Sequence, residues 1–331
     1  MRHATRRSAV LDRIARAFVA LLATASAAFL ATFPLVAAAQ VGWKPARLIE
    51  YVNPAGPGGS VDLMVRVTKK FAEDAKLYDV PANAIVKPGA NGGIAMDYMV
   101  QTPAVNETLI AVSHTFLTHK LTGESRYDWR DLTPVGILFK EFHVIAVRAD
   151  SRIRDGRDLI ERLRRDAAEV SFGFFGNPGN HLHLAAALPL KAAGVDIRKL
   201  TTVPYRSGPE AVTAVLGGHL DAALVTAVVA EPHVIAGKMR VLTQTTGKRL
   251  PGYLQQVPTW KELGVDIEYA TAQGFAGPKN MSREAVAYWE NVLGQLARDE
   301  EWNRQLARGR WESAYMTAAQ HQKYYEDEFT K

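Results

Sequence analysis

The chain has 331 residues, with 40 Lys and Arg against 34 Asp and Glu, a net charge of +6, and no cysteine. The missing cysteine excludes disulfides, thiolate metal sites, cysteine nucleophiles and an N-terminal lipid attachment. Residues 1–39 hold five Arg and one Asp, so the remainder carries 35 basic against 33 acidic residues. That near-balance gives no reason to propose nucleic acid or an anionic membrane as partner.

At the N-terminus, Arg2, Arg6, Arg7, Arg13 and Arg16 form a basic head, and residues 17–39 an apolar, alanine-rich body. Ala37-Ala38-Ala39 supplies the small residues of a cleavage site, so 1–39 is predicted to be a secretory signal, cut before Gln40. A retained membrane anchor is the alternative, weakened by Thr24, Ser26 and Thr32 inside the apolar stretch. Thr5-Arg6-Arg7-Ser8 faintly resembles a twin-arginine signal, with Ala9 where phenylalanine is usual. The mature chain is therefore expected in the periplasm, without membrane insertion, and is long enough for two lobes with proper cores.

Short apolar runs at 48–52, 85–86, 109–112, 144–147, 170–174, 202–205, 222–225 and 239–243 read as strands. Helical patterns alternate with them at 61–74, 93–101, 156–168, 183–193 and 209–216, with two more at 282–297 and 318–329. This alternation predicts an α/β protein built on parallel sheets. The chain leaves its first set of elements near 140 and returns near 270, which predicts two lobes joined by a hinge with a cleft between them. Lobe one is placed at 40–142 plus 272–331, and lobe two at 143–271.

Two glycine-rich turns stand out, Asn53-Pro54-Ala55-Gly56-Pro57-Gly58-Gly59-Ser60-Val61-Asp62 and Lys87-Pro88-Gly89-Ala90-Asn91-Gly92-Gly93. Each leaves a strand-like run and opens a helix, so free main-chain N–H groups and the helix dipole converge on one spot suited to an anion. Ala55, Gly56, Pro57, Gly58, Gly59, Ser60 and Asp62 are candidate ligand residues in the first turn, and Gly89, Ala90, Asn91 and Gly92 in the second. Purely structural roles are compatible with this: tight-turn glycines, Ser60 as a helix cap, Asp62 beside the helix dipole.

From Lys44 to Phe329 the chain resembles the solute-binding proteins of the tripartite tricarboxylate transporter family, the Bug or TctC-like group. The resemblance lies in Pro57-Gly58-Gly59-Ser60-Val61-Asp62, Lys87-Pro88-Gly89-Ala90-Asn91-Gly92, Tyr205-Arg206-Ser207-Gly208-Pro209 and Leu216-Gly217-Gly218-His219-Leu220-Asp221-Ala222. It continues in Ile235-Ala236-Gly237-Lys238-Met239-Arg240-Val241-Leu242, Thr246-Gly247-Lys248-Arg249-Leu250 and Val257-Pro258-Thr259-Trp260-Lys261-Glu262-Leu263-Gly264. It implies a type II periplasmic binding fold that closes on a small organic acid and delivers it to transporter subunits in the membrane. Dicarboxylates, tricarboxylates, acidic amino acids and aromatic acids are the implied ligands. A monomer is expected, and no cofactor.

The resemblance also places Ser113, His114 and Thr115 in a polar loop facing the cleft, at the end of a strand where ligands gather in α/β sheets. In the second lobe this sequence departs from the pattern: Asn177, Pro178, Gly179, Asn180 and His181 replace a hydroxyl-rich run, ahead of a matching His183-Leu184-Ala185. Asn177, Pro178, Gly179, Asn180 and His183 are candidate contacts, and Phe174, Phe175 and His181 either shape an aromatic-tolerant pocket or belong to the core. Arg206, with Ser207, offers a guanidinium fork for a carboxylate. Thr226 ends the strand at 222–225, where the family is more polar. Enzyme readings lack their motifs: no zincin spacing, no nucleophile elbow and no P-loop lysine. A receptor feeding a sensor kinase and an exported hydrolase are the alternatives to transport.

Overall fold

The computed structural model describes residues 42–330; the signal assigned to 1–39 lies outside them. Two mixed sheets form the frame. The first takes β1 (Ile49–Asn53), β2 (Ala82–Val86), β3 (Thr108–Val112), β4 (Leu132–Glu141), β10 (Thr271–Pro278) and β11 (Glu312–Met316), in the order β11-β4-β10-β3-β1-β2. The second takes β5 (His143–Arg148), β6 (Ser171–Phe175), β7 (Thr201–Tyr205), β8 (Ala222–Thr226) and β9 (Met239–Gln244), in the order β7-β6-β8-β5-β9. The chain passes from one sheet to the other at Phe142 and returns between Gln244 and Thr271.

Helices cover both faces of both sheets, as parallel strands require. With the first sheet go α1 (Ser60–Asp74), α2 (Gly93–Gln101) and α3 (Thr115–Thr122); with the second go α4 (Gly156–Arg165), α5 (His181–Ala192), α6 (Gly208–Leu216) and α7 (Ala227–Ile235). After the return come α8 (Arg283–Leu296), α9 (Glu300–Gly309) and α10 (Ala318–Phe329). Tyr51, Phe139, Phe275, Trp289 and Trp302 fill one face of the first sheet, and Val52, Ile110, Phe116 and Tyr325 the other. Phe172, Phe174, Leu190 and Trp260 fill one face of the second, and Val144, Val212 and Val225 its opposite. Local chemistry sets the helix starts: Asp155, Asn180, Ser207, Ser282 and Thr317 each accept a hydrogen bond from the first turn they precede.

The expected parallel strands are present as β2-β1-β3 and β7-β6-β8, and antiparallel strands complete both sheets. β10 runs antiparallel to β3 and β4, and β5 antiparallel to β8 and β9. The reason is connectivity: β4 leaves for the other sheet and β10 comes back beside it, so the two must run in opposite directions. Helix α3 occupies part of what was expected as a polar loop after β3, and α7, α9 and β11 had no counterpart in the pattern.

At the centre of the first sheet, β10 and β4 approach so closely that a methyl group on Gly274 would lie 2.0 Å from the Gly136 carbonyl oxygen and 2.6 Å from the Ile137 Cα. Both are main-chain atoms that cannot swing away. Gly274→Ala should therefore destabilise the protein by about 3 kcal/mol through overpacking, read as a lower urea midpoint; an unchanged midpoint would refute this close approach.

Candidate functional site

Six helices begin where six parallel strands end: α1, α2 and α3 after β1, β2 and β3, and α5, α6 and α7 after β6, β7 and β8. The N–H groups of a first helical turn have no intrahelical acceptor, and the dipole makes that end positive. The sites predicted from the sequence fall on these junctions.

In the first turn the side chains point inward. Buried Asn53 donates through Nδ2 to Asp62 Oδ1 at 3.2 Å and accepts from the Ala55 N–H at 2.9 Å. The Gly58 N–H donates to Asp62 Oδ2 at 3.0 Å, and Arg66 pairs with the same oxygen at 2.9 Å. Both Asp62 oxygens are thus engaged in shaping the turn. The Ser60 hydroxyl donates to Glu141 Oε2 at 2.9 Å and accepts from Gln273 Nε2 at 3.1 Å. Gly56, Pro57, Gly58 and Gly59 remain exposed, so this turn offers its main chain.

The second turn is a run of four positive φ angles: Gly89 at 120°, Ala90 at 45°, Asn91 at 48° and Gly92 at 99°. Two of these residues carry a Cβ, a strained arrangement that neighbours must hold in place. His119 does so, its Nε2 lying 2.8 Å from the Asn91 carbonyl oxygen. Gly92 packs on Pro54, so the two turns adjoin.

On the second sheet the Gly176 N–H donates to the Tyr205 carbonyl at 3.0 Å, tying the turn at 176–180 to that at 205–208. Asn180 caps α5 by accepting from the His183 N–H at 3.0 Å and donates to the Phe175 carbonyl at 2.6 Å. His183 Nδ1 accepts from the Gly179 N–H at 3.1 Å, and its ring stacks on Phe174, which belongs to the core. Ser207 caps α6, while Arg206 is exposed and only its N–H is held, by Glu210 at 3.1 Å. Thr226 precedes α7 without a side-chain cap bond.

The two sets of turns touch. The Asn177 N–H donates to Asn91 Oδ1 at 3.3 Å, and Asn177 Nδ2 donates to Glu124 Oε1 at 2.6 Å. Thr115 Oγ1 lies 2.8 Å from His181 Nδ1. Elsewhere Arg310, just past α9, pairs with Glu231 of α7. These contacts link the two sets of strands and helices.

Ser113 and His114 are buried, and the bonds of both lead to the C-terminal part of the chain. The Ser113 carbonyl accepts from the Tyr325 hydroxyl at 3.2 Å. His114 Nδ1 accepts from the Ala272 N–H at 3.1 Å, and its Nε2 lies 3.3 Å from the Tyr324 hydroxyl and 3.6 Å from a Glu328 oxygen. Burial and the neighbouring His114 push His181 down to about 3, and burial pushes His143 well below its usual range. Among the described residues, no three His, Asp or Glu side chains gather as a metal site.

Glu141, Gln273, Trp311 and Glu124 escaped the sequence reading. Glu141 is 2% exposed and accepts from Gln273 Nε2 at 2.6 Å and Trp311 Nε1 at 3.0 Å, besides Ser60. Burial pushes its carboxyl up to about 7 against the pull of those three donors. The available signal was an acid at the end of an apolar strand, a residue seldom buried without a partner. Two cavities border the passage between Gln244 and Thr271. One, about 950 Å³, lies between Leu117 and Leu121 of α3, Leu184 and Leu188 of α5, Tyr269 and Tyr324. The other, about 450 Å³, is lined by Phe142, Lys248, Arg249 and Lys261.

Two sheets joined by crossing strands, with helix N-termini facing one another across a cleft, define a two-lobed binding protein of the periplasmic type. The family model described as tripartite tricarboxylate transporter family receptor, TctC, matches residues 67–331, and the chain belongs to that family. A Cupriavidus necator relative, the UPF0065 protein in gbd 5'region, is 29% identical over 316 residues, 94% of this chain and 92% of its own. Among solved structures, a Rhodopseudomonas palustris protein with adipate is similar at 24% identity and a TM-score of 0.73, covering 86% of this chain and 95% of that one. MatC from Rhodopseudomonas palustris with bound malate is similar at 20% identity and a TM-score of 0.73, covering 87% of this chain and 98% of that one. The chain is thus a solute-binding receptor of the TctC and Bug type. No helix among the described residues is long and apolar enough to cross a membrane.

Asp62 and Arg66 separate turn-shaping from surface pairing. Asp62→Ala removes the acceptor for the Gly58 N–H and for Asn53 and should lower stability by about 2 kcal/mol. Arg66→Ala removes only an exposed partner and should change it by less than about 1 kcal/mol. Chemical denaturation of both variants decides, and equal losses would show that the ion pair, not the turn, is what Asp62 serves.

Proposed function

We propose that this protein captures a small carboxylate-bearing solute in the periplasm and hands it to a tripartite tricarboxylate-type membrane transporter. The carrying observation is that Asn91 of turn 88–92 meets Asn177 of turn 176–183 across the two lobes, while turn 54–60 adjoins the first of these and turn 205–208 the second, with first-turn N–H groups on both sides. Main-chain amides at helix starts recognise a carboxylate without a fixed counter-ion. Arg206 supplies a mobile charge at the rim and Thr226 a hydroxyl. The relatives with adipate and with malate favour a dicarboxylate.

Residues 40–142 and 272–331 form one lobe in this reading, 143–271 the other, and Phe142 and 245–270 the hinge. A solute touching both lobes favours the closed form, and the transporter recognises that form. The mature chain acts as a monomer, without cofactor and without turnover.

The test is a thermal-shift screen of refolded residues 40–331 against dicarboxylates, tricarboxylates, acidic amino acids and aromatic acids. A solute at about a hundred times its dissociation constant adds about 2.7 kcal/mol, a shift of several degrees. One class of acids should raise the midpoint. No shift from any carboxylate, with the protein folded, overturns the reading, and product formation from an ester or amide would replace it with a hydrolase.

A further inference from the structure

Glu141 stands where three parts of the molecule meet. It is the last residue of β4, one residue before the chain crosses to the second sheet at Phe142, and its partner in register is Thr271, the first residue of returning β10. Its carboxyl group reaches Ser60, the first residue of α1, directly after Gly58 and Gly59. Gln273 of β10 bonds both Glu141 and Ser60, and Trp311, stacked on Phe139 at 4.4 Å, bonds the other carboxyl oxygen.

All three donors are neutral. Around them, Asp62 and Arg66 of α1 pair with each other, and Arg310, beside Trp311, pairs with Glu231. Lys140 precedes Glu141 and so points to the opposite face of the strand. Glu312 of β11 is exposed, and His143 has Thr271 at its Nε2. Among the described residues, no cation pairs with Glu141, and what raises its proton affinity is burial.

We propose that Glu141 is a positioning residue that couples the first glycine turn to the hinge, and that binding an anion at that turn draws a proton onto Glu141. This rests on the reading of the turn as a carboxylate site. A solute anion above Ser60 and a buried carboxylate below it repel each other, and protonating Glu141 removes the repulsion. The proton has an acceptor waiting. Gln273 Oε1 is buried without a partner, and half a turn of that amide brings it to the place of Nε2, 2.6 Å from Glu141. Reciprocity then requires that anion affinity fall as pH rises through the range where Glu141 ionises, by at most about tenfold per pH unit for one linked proton. The folded chain holds this proton more tightly than the unfolded one. Its contribution to stability is therefore full below the ordinary glutamate range and lost as pH rises through about 7.

The experiment titrates residues 40–331 with adipate and with malate by calorimetry at pH 6, 7 and 8, in two buffers of different ionisation enthalpy. Alongside it, the ¹⁵N-labelled Trp311 indole N–H is followed by NMR against pH without ligand. For an acid that binds, the dissociation constant should weaken at least threefold from pH 6 to 8 with proton uptake at pH 7, and the Trp311 signal should titrate near 7. Glu141→Gln should abolish the proton uptake, the pH dependence and the titration. If that variant fails to fold, the unsubstituted protein decides: proton uptake on binding should be greatest at the pH where the Trp311 signal titrates. A Trp311 signal that does not move overturns the protonation of Glu141. Equal pH dependence in wild type and Glu141→Gln, or binding without proton uptake where Trp311 titrates, overturns the coupling. If Trp311 titrates and neither acid binds at any pH, the carboxylate reading of the turn falls, and the coupling with it.

Discussion

Strands β4 and β10 run side by side in opposite directions, and the rest of the molecule hangs on that pairing. One carries the chain out of the first sheet and the other brings it back, so relative movement of the lobes must bend the two connections at their ends. Their central contact is main chain on main chain, at Gly136 and Gly274, and it leaves no room for a side chain. A pair this tightly packed acts as a stiff base. The proposed hinge is Phe142 and the passage between Gln244 and Thr271, where the chain runs from one sheet to the other.

On that base the turns are held by residues that do not themselves face the cleft. Asp62 and Asn53 brace the first turn, His119 braces the second, and Asn180 and His183 brace the third. Each interior hydrogen bond fixes main-chain direction, and direction is what an amide donor needs in order to recognise a carboxylate. In the proposed site, main-chain donors leave room for changed side chains, such as Asn177 and Pro178 in the second-lobe turn. Arg206 is exposed and Thr226 is free of capping duty.

Polar contacts link the two sets of strands and helices. Asn177 meets Asn91 and Glu124, Thr115 meets His181, and Arg310 meets Glu231. The two Asn177 bonds are exposed and contribute little each, while the Thr115–His181 and Arg310–Glu231 contacts are partly buried. In the proposed function, a bound solute adds contacts to both lobes and so favours the form in which they meet.

The sequence by itself determined the strand and helix alternation, the two glycine turns and their position at helix starts, because these follow from local periodicity and from the backbone freedom of glycine. It also carried the family pattern. It did not determine strand direction, since β4 and β10 look alike whether they pair parallel or antiparallel. Nor did it tell which polar side chains face the solute. Ser60, Asp62, Asn91 and His114 have the chemistry of ligands, yet their hydrogen bonds go to Glu141, Asn53, Glu124 and Ala272. Three of those four partners lie between 33 and 158 residues away along the chain, and no local pattern reports such a contact. Tertiary structure alone decided this, because a buried donor or acceptor must be satisfied by whatever the fold brings within reach.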